Sequence, residues 1–439
     1  MIGISIFALA LCLLLLGYPV AFTFAGIGIL FVVIFGEPSQ LAQIPYRIYS
    51  NMGDNGEGIV LMAIPLFIFM GLILQRSSLA DRLLQSMGKL FGSLRGGLAI
   101  STILVGSVLA ASTGVVGASV VAMGLISLPV MLRHQYDKRL ATGSITAAGT
   151  LGQIIPPSIV LIILGDVLNV PVGDLFAAAL IPGLALVGCY IAYIIVHCLI
   201  KPEHAPSLPI EEGESRGKII VDALISIVPP LALILVVLGS IFTGVATPTE
   251  SSALGCVGAI ILSLLYRSFS LSMLWDSANE TVKITAMVFA VLLGASLFSM
   301  GFSYSGGEEE IEHLLLSIPG DKWGFLLVIM GMVMLLGFFL DYIEISYIVI
   351  PLIYPVAEAL GINMVWFGVL LAMNLQTSFL TPPFGFALFY LKGVVGSSVK
   401  TLDIYRGVIP FVIIQFLVLM GVLYFPSLFG LQSEAVSLW

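Results

Sequence analysis

The sequence predicts an all-α polytopic membrane protein made of two inverted repeats, each with a re-entrant helical hairpin and a broken helix. The chain is 59% hydrophobic and 10% charged over 439 residues, whereas soluble domains carry about 25% charged residues. Two proline pairs, Pro156-Pro157 and Pro382-Pro383, interrupt long apolar segments. Short motifs also recur at a nearly constant distance, close to half the chain length.

The recurring motifs indicate an internal duplication. The two proline pairs are 226 residues apart. Gly17 of GYPVAFTFAG matches Gly244 of GVATPTESSALG, and Pro182 matches Pro410, both with a similar offset. Chance is the alternative explanation, because Gly and Pro are common in membrane helices. We predict three parts: residues 1–200 as the first repeat, 201–217 as a cytoplasmic linker, and 218–439 as a connecting helix with the second repeat.

Apolar segments long enough for membrane helices follow one another along the chain. They cover about 3–35, 57–75, 97–132, 140–165, 174–199, 219–243, 247–266, 284–303, 323–357, 364–391 and 407–430. Segments 97–132 and 323–357 are too long for one span and have polar or glycine-rich centres, so we predict two re-entrant hairpins, with paired spans as the alternative. Segments 140–165 and 364–391 contain the proline pairs, which remove backbone donors and break helices. The uncharged stretch 1–36 is predicted to be a retained span rather than a signal peptide.

Positive charges predict the orientation of the chain. When loop 76–95 is placed in the cytoplasm, only Arg47 and Lys322 of the 17 Lys and Arg residues fall outside. This puts the N-terminus in the cytoplasm and the C-terminus in the periplasm. Within residues 77–95, apolar side chains recur at helical spacing and the basic side chains Arg82 and Lys89 lie on the opposite face. This pattern predicts a helix along the membrane interface. Gly96-Gly97 behind it is a candidate hinge.

Several function classes are not expected. The sequence contains no P-loop and no G-x-S-x-G motif, so ATP hydrolysis or another enzymatic activity is not predicted. The net charge of −8 and the lack of a basic patch argue against nucleic-acid binding. The cysteines lack metal-binding spacing and are predicted to be inert core residues; they are Cys12, Cys189, Cys198 and Cys256.

Polar groups at the hairpin tips and helix breaks form the candidate site. Carbonyls at unwound breaks and nearby hydroxyls can hold a dehydrated cation, and half-helix N-termini can face an anion. The first constellation is Ser112, Thr113, Gly152, Ile155 and Pro157, and the second is Gly337, Thr377 and Thr381. The alternative is that each hydroxyl only bonds back to a carbonyl one turn earlier. Candidate substrate contacts are Thr113, Gly114, Gln153, Asn374, Gln376 and Pro382.

Acidic residues within apolar segments have structural interpretations first. Asp341 is predicted to cap the second arm of its hairpin, with proton coupling of Asp341 and Glu344 as the alternative. Glu250 follows Thr247 at capping-box spacing and is interpreted as structural. The run GGEEEIEH at 306–313 suits a helix N-terminus, or simply a solvated surface.

Several motifs together resemble the large membrane subunit of tripartite ATP-independent periplasmic (TRAP) transporters. They are ASTGVVGASVVAMG, GTLGQIIPPS, GVATPTESSALG, GFFLDYIEISYIVIPLIYPVAEALGI and NLQTSFLTPPFGFALFYLKGV. The resemblance is closest to the mannitol/chloroaromatic-type branch, whose partners often handle 2-oxo or 2-hydroxy acids. It implies an elevator-type fold of the ion-transporter superfamily and sodium-coupled uptake of an organic acid across the bacterial inner membrane. It also implies a periplasmic substrate-binding protein and a separate small membrane subunit of about four helices.

The resemblance further implies that sodium ions are the only coupling cofactors. One sodium site would use Ser112, Gly152, Ile155 and Pro157, and the other Gly337, Thr377 and Thr381. Because the tip reads AASTGVVG rather than serine-rich, the hydroxyl ligand is either Ser112 or Thr113. The alternative function is a stand-alone sodium- or proton-coupled carboxylate or ion transporter. A scaffold without transport would not need paired broken helices.

Overall fold

The computed structural model describes residues 2–35, 38–49, 60–77, 79–207 and 215–434. Within these ranges the regular structure is helical, and the one β interaction is an isolated bridge between Ile362 and Glu434. Seven of the described helices are long and apolar enough to cross a membrane, or up to nine if each of two bent pairs is one span. The predicted linker 201–217 falls partly outside the described residues, at 208–214.

The helices follow the predicted order in both halves. The first half has α1 (Ile2–Leu15), α2 (Val20–Phe35), α3 (Ile44–Tyr49), α4 (Ala63–Arg76), α5 (Leu79–Gly92), α6 (Gly97–Thr113), α7 (Val116–Arg133), α8 (Lys138–Thr150), α9 (Ile159–Val167) and α10 (Val172–Ile200). The second half has α11 (Arg216–Phe242), α12 (Pro248–Leu265), α13 (Leu271–Tyr304), α14 (Gly307–Leu316), α15 (Asp321–Leu336), α16 (Tyr342–Glu344), α17 (Ile350–Ala359), α18 (Met364–Leu380), α19 (Phe386–Val395) and α20 (Thr401–Tyr424). A π-helical turn, Ile345–Val349, joins α16 to α17.

The contacts between helices reflect the repeat. By position in the repeat, α1, α2, α4 and α5 correspond to α11, α12, α13 and α14. Helix α2 packs against α13, and its counterpart α12 packs against α4, the counterpart of α13. In the same way α5 packs against α11, and its counterpart α14 packs against α1. Helix α8 packs against α20. Correspondingly α18, the counterpart of α8, packs against α10, the counterpart of α20. In these pairs, a helix of one repeat contacts the same partner position in the other repeat as its counterpart does. This is expected for two related repeats. The exact repeat boundaries stay predictions.

Local sequence explains where the repeated elements begin. Asp137 caps α8, since its Oδ1 accepts hydrogen bonds from the backbone N–H of Arg139 and Leu140 at 2.9 and 3.1 Å. Asn363 caps α18 in the same way, with bonds of 2.9 and 3.2 Å from the N–H groups two and three residues on. Both broken helices thus start with a side-chain cap. Thr247 and Glu250 form a capping box at the start of α12, which confirms the structural interpretation of Glu250.

Glycines allow very close packing inside two helix pairs. An added Cβ at Gly301 of α13 would lie 2.9 Å from the Cα of Gly28 in α2. An added Cβ at Gly143 of α8 would lie 2.7 Å from the carbonyl carbon of Gly407 in α20. Small residues of this kind are typical of tight helix contacts in membranes. The pairs α2–α13 and α8–α20 therefore leave no room for a larger side chain at these points.

The two short polar-faced helices are also confirmed. In α5 the apolar positions Leu79, Leu83 and Met87 are buried, as the spacing predicts. The helix ends at Gly92, so Leu94 lies beyond it and is 52% exposed. Helix α14 carries Glu308 and the next two glutamates in its first turn and meets α15 at 119°. Whether these helices lie along the membrane interface stays a prediction.

Two predictions are wrong. Segment 3–35 is two helices rather than one span, because Gly17 has a φ of +90° and Pro19 cannot continue α1. The apolar segment 284–303 lies within α13, which starts earlier, at Leu271. Cys12 and Cys189 are exposed rather than in the core, because the outside of a membrane protein is apolar too. Cys198 and Cys256 are buried, as predicted.

Polar contacts join loops that the charge pattern places on the same side. Lys138 Nζ donates to the carbonyl of Ser398 at 2.8 Å, and the N–H of Asp137 donates to the carbonyl of His204 at 2.8 Å. At the predicted opposite side, Lys322 and Glu434 form an ion pair of 3.0 Å. These contacts group the loops as the positive-inside pattern requires. The assignment of one group to the cytoplasm stays a prediction.

Candidate functional site

The first predicted hairpin consists of α6 and α7, which pack against each other. The tip is two residues long, and Gly114 there has a φ of +61°, a conformation that glycine adopts without steric cost. The N–H of Gly114 donates to the carbonyl of Ala110 at 2.9 Å and ends α6. The helical hairpin is therefore confirmed, with its tip at residues 114–115. Its re-entrant position in a membrane stays a prediction.

The first helix break lies between α8 and α9. After α8 the chain makes a 3₁₀ turn, Leu151–Gln153, and reaches Pro156-Pro157 before α9 starts at Ile159. Since proline has no N–H, the carbonyls of Gly152 and Gln153 lack the donors that a continuous helix would supply. The Ser158 hydroxyl replaces one of these donors, with a bond of 2.7 Å to the Gln153 carbonyl.

The structure brings the first constellation together. An added Cβ at Gly152 would lie 2.7 Å from the carbonyl carbon of Ala110 in α6, one turn before the tip. An added Cβ at Gly114 would lie 2.8 Å from Cγ1 of Ile159, the first residue of α9. The hairpin tip thus rests directly on the break. The Ile155 side chain points towards Gly183 of α10, so its backbone is the part that could face a ligand.

The second constellation is assembled in the same way. Gly337 ends α15, and an added Cβ there would lie 2.7 Å from the Cβ of Ser378 in α18. Helix α18 ends at Leu380, with Thr381 as its C-cap ahead of the proline pair. The rings of Phe339 and Phe384, one from each side of this contact, are 5.1 Å apart. Ser378 therefore belongs with this constellation, although the sequence did not single it out.

Three of the four candidate hydroxyls share one hydrogen-bonding pattern. Ser112, Thr377 and Thr381 each donate to a backbone carbonyl one turn earlier, those of Leu109, Met373 and Thr377, at 2.7 Å. The Thr113 hydroxyl lies 3.3 Å from the Ala110 carbonyl and 2.7 Å from the Ser119 hydroxyl, and its proton can go to either. A hydroxyl bound in this way has only lone pairs left. It can therefore serve a cation and is poorly suited to an anion. The same bonds also fit hydroxyls that only satisfy themselves within a helix.

Two buried glutamines have the opposite property. Gln153 and Gln376 are 0% and 1% exposed, and within the described part of the chain neither their amide nitrogens nor their amide oxygens have a hydrogen-bond partner. The 3₁₀ turn that carries Gln153 packs against α18, which carries Gln376. Buried amides without partners are costly and call for a ligand or water. Their N–H₂ groups can donate to a carboxylate. Asn374 differs, since its Nδ2 already donates to the Met330 carbonyl at 2.7 Å.

The π-helical turn adds two groups that sequence reasoning missed. Ser346 and Tyr347 are buried, and their hydroxyls have no partner among the described residues. The turn packs against α9, which follows the first break, and against α13. Turns of this type are frequent at functional sites. No pattern in the sequence predicts a π turn, so only the structure identifies these residues.

The two breaks differ in exposure. Pro156 and Pro157 are buried, whereas Pro382 is half-buried and Pro383 is exposed. Phe339 and Phe384 beside the second break are 50% and 44% exposed. The second break is therefore the more open of the two.

Asp341 is a helix cap, as predicted. Its carboxylate accepts a hydrogen bond of 2.7 Å from the N–H of Tyr342, and Glu344 accepts one of 3.0 Å from the N–H of Asp341.

We expect Asp341→Asn to keep full uptake and stability, because Asn caps helices as well as Asp does. Asp341→Ala should lower the free energy of unfolding by about 1 kcal/mol. Uptake assays and thermal unfolding of both variants check this. Loss of uptake in a stable Asp341→Asn protein would support proton coupling instead.

Comparisons with known proteins agree over most of the chain. A family model described as "Tripartite ATP-independent periplasmic transporter, DctM component" matches residues 7–428. The chain is 29% identical to the C4-dicarboxylate TRAP transporter large permease protein DctM of Pseudomonas aeruginosa, over 91% of each chain. It is also 29% identical to the sialic acid TRAP transporter large permease protein SiaM of Vibrio cholerae, over 96% of each chain.

A solved structure supports the fold. The chain is similar to the YdaH transporter of Alcanivorax borkumensis, with a TM-score of 0.63 and 14% sequence identity. The similarity covers 90% of this chain and 89% of that one. At this level of identity the likeness shows the fold alone.

Proposed function

Because the chain belongs to the DctM component family of tripartite ATP-independent periplasmic transporters, we propose that it imports an organic acid together with sodium ions. The chain is a large permease subunit of a secondary transporter, a transport protein rather than an enzyme. Such a permease works with a small membrane subunit and a substrate-binding protein. In our proposal the small subunit is a separate chain of about four helices, and the binding protein delivers the acid from the periplasm.

The observation that carries the proposal is the division of polar groups at the two breaks. The hydroxyls of Ser112, Thr113, Thr377 and Thr381 offer lone pairs, which suit a dehydrated cation. The amides of Gln153 and Gln376 offer unused donors, which suit a carboxylate. Both kinds of group are neutral, so they add no charge of their own to that of the ligands. A cation and an anion bound together would leave it without net charge, which favours joint transport.

The substrate class follows from the same donors. Relatives are named for C4-dicarboxylates and for sialic acid, which share a carboxylate. Two buried amides can bind such a group without a buried positive charge. We therefore propose a small carboxylate, for which a 2-oxo or 2-hydroxy acid is one chemical class to test first.

We propose that transport proceeds by relative motion of two bodies. One body contains α6–α9 and α15–α19 with α10 and α20, and holds both hairpins and both breaks. The other contains α2, α4, α11, α12 and α13. Contact between them includes α4 and α6, where an added Cβ at Gly71 would lie 2.9 Å from the carbonyl carbon of Ser112. In the proposed elevator mechanism the first body moves past the second with its ligands enclosed.

Uptake by reconstituted protein tests the coupling. Proteoliposomes with the permease, its small subunit and the substrate-loaded binding protein should accumulate substrate only with an inward sodium gradient. A membrane potential should add to the rate if more than one sodium ion accompanies each carboxylate. Equal uptake driven by a proton gradient without sodium would reject sodium coupling. Uptake without any binding protein would favour the stand-alone transporter.

Thr381→Val tests the second sodium site directly. The substitution keeps the side-chain volume but removes the oxygen, so the sodium concentration for half-maximal uptake should rise by about tenfold. Thr243→Val is the matched control, because Thr243 makes the same type of bond, 2.7 Å to the Gly239 carbonyl, at the end of α11. The control should leave the sodium response unchanged. An unchanged response in Thr381→Val itself would remove Thr381 from the site.

A further inference from the structure

A polar cleft of about 350 Å³ lies between α5, α11 and the end of α12. One face of α5 contributes Arg82, Gln85, Ser86 and Lys89. These positions recur at helical spacing, opposite the buried apolar face of the helix. The cleft is therefore formed by the polar side of the amphipathic helix.

The cleft carries an excess of positive charge. Among the residues that the structure describes, its basic side chains are Arg82, Lys89 and Lys218, against one acidic side chain, Asp222. Arg82 lies 5.5 Å from the centre of the Tyr266 ring, and its guanidinium is 3.5 Å from the Tyr266 carbonyl. This arrangement attracts an anion of small size, such as a phosphate group.

Hydrogen bonds fix the walls of the cleft. The hydroxyls of Ser86 and Ser226 are 2.9 Å apart and connect α5 to α11. The Tyr266 hydroxyl donates to the Ile225 carbonyl at 2.7 Å and connects the end of α12 to α11. The cleft is thus a built feature of three packed elements rather than a chance gap between exposed side chains.

An apolar groove of about 490 Å³ continues from the cleft. It is lined by Leu224, Ile225, Val228, Pro229, Leu262, Leu265 and Tyr266. Ile225 and Tyr266 line both spaces, so the groove and the cleft lie side by side. From Lys218 to Pro229 the helix rises about 17 Å, slightly more than half the thickness of the hydrocarbon core.

We propose that this composite site binds one anionic phospholipid, with its phosphate in the basic cleft and an acyl chain in the apolar groove. A basic pocket alone would fit any small anion, and an apolar groove alone would fit many partners. Because they lie side by side near the end of a helix long enough to span the membrane, a lipid with an anionic headgroup fits both. The lipid would hold α5 against α11 and α12.

Lipid retention in nanodiscs provides the test. Wild-type protein in phosphatidylcholine nanodiscs with added phosphatidylglycerol should retain one phosphatidylglycerol molecule in native mass spectrometry and gain thermal stability. Arg82→Gln with Lys218→Gln should weaken retention by about thirtyfold, given the attraction of each cation to an anionic headgroup. Arg133→Gln is the control, because Arg133 is exposed and lies outside the cleft. Equal loss in the control would overturn the proposal.

The acyl groove is tested separately. Val228→Trp should fill the groove and weaken phosphatidylglycerol retention while leaving all three cations in place. Unchanged retention, or equal competition by soluble glycerol phosphate, would show a small-anion site and reject the lipid. If Val228→Trp instead prevents binding of the small membrane subunit and leaves lipid retention unchanged, the groove is a protein interface and the proposal is wrong. If the double variant does not fold, Lys218→Gln alone, at an exposed position, should still show a weaker effect.

Discussion

A covalent cross-link between cysteines at Gln75 and Ala118 is expected to stop uptake almost completely. Gln75 lies on α4, and its Nε2 donates a hydrogen bond of 2.9 Å to the Ala118 carbonyl in α7. In the proposed mechanism α7 moves with the first hairpin while α4 does not. A short bifunctional maleimide should therefore trap the two bodies in one arrangement, and the binding protein should still dock.

The cross-link needs a background without the native cysteines and a control within one body. Cysteines at Arg139 and Asp403 provide this control, because these side chains form an ion pair of 3.5 Å between α8 and α20. Their cross-link should leave uptake intact. Full uptake by a protein verified as cross-linked between Gln75 and Ala118 positions would exclude motion of α7 past α4. A local gating mechanism would then be the better account.

Replacement of Gln153 or Gln376 should weaken substrate binding without lowering the stability of the protein. Gln376→Leu and Gln153→Leu remove amides that have no hydrogen-bond partner among the residues the structure describes. If these amides bind the carboxylate, the substrate concentration for half-maximal uptake should rise by about tenfold to a hundredfold in each variant. The free energy of unfolding should stay the same or increase, since a buried unsatisfied polar group is removed.

Two control variants distinguish a role in substrate binding from a general effect of replacing a buried amide. Gln415→Leu replaces an equally buried glutamine in the middle of α20, away from either break in the sequence. It should leave the substrate response unchanged. Asn374→Leu should instead destabilise the protein, because it removes the donor to the Met330 carbonyl. Normal substrate affinity in a stable Gln376→Leu variant would remove Gln376 from the substrate site.

Much of the fold follows from the sequence because its signals are strong and local. Proline pairs, glycine turns and caps such as Asp137 act within a few residues. For this reason the first hairpin, predicted at 97–132, is found at Gly97–Thr113 and Val116–Arg133. Hydropathy gives no such signal where an apolar segment bends, as at Gly17. It also cannot tell a side chain that faces lipid from one in the core, as with Cys12.

The site could be predicted only in part for a physical reason. Each hairpin tip meets its break at a glycine: Gly152 lies against the Ala110 backbone, Gly114 against the Ile159 side chain and Gly337 against the Ser378 side chain, and the sequence shows these glycines although not their partners. Ser378, Ser346 and Tyr347 depend on which helices pack together and on a π turn that no local pattern specifies. The unpaired state of Gln153 and Gln376 is likewise a property of the packed protein. The sodium and substrate roles of all these residues stay predictions.

The glycine contact between α4 and α6 bears on the speed of transport. At Gly71 the backbone of one helix lies against the backbone at Ser112 without side chains between them. Where side chains of two helices interlock, they must separate before the helices can slide past each other. Two backbones in direct contact have few protruding atoms and can slide with less separation. In the proposed mechanism this contact therefore adds little to the activation barrier of translocation. Side chains of α4 that bond across the boundary, such as Gln75 to the Ala118 carbonyl, would still have to leave their partners, so the barrier from packing would be concentrated at such points rather than at Gly71.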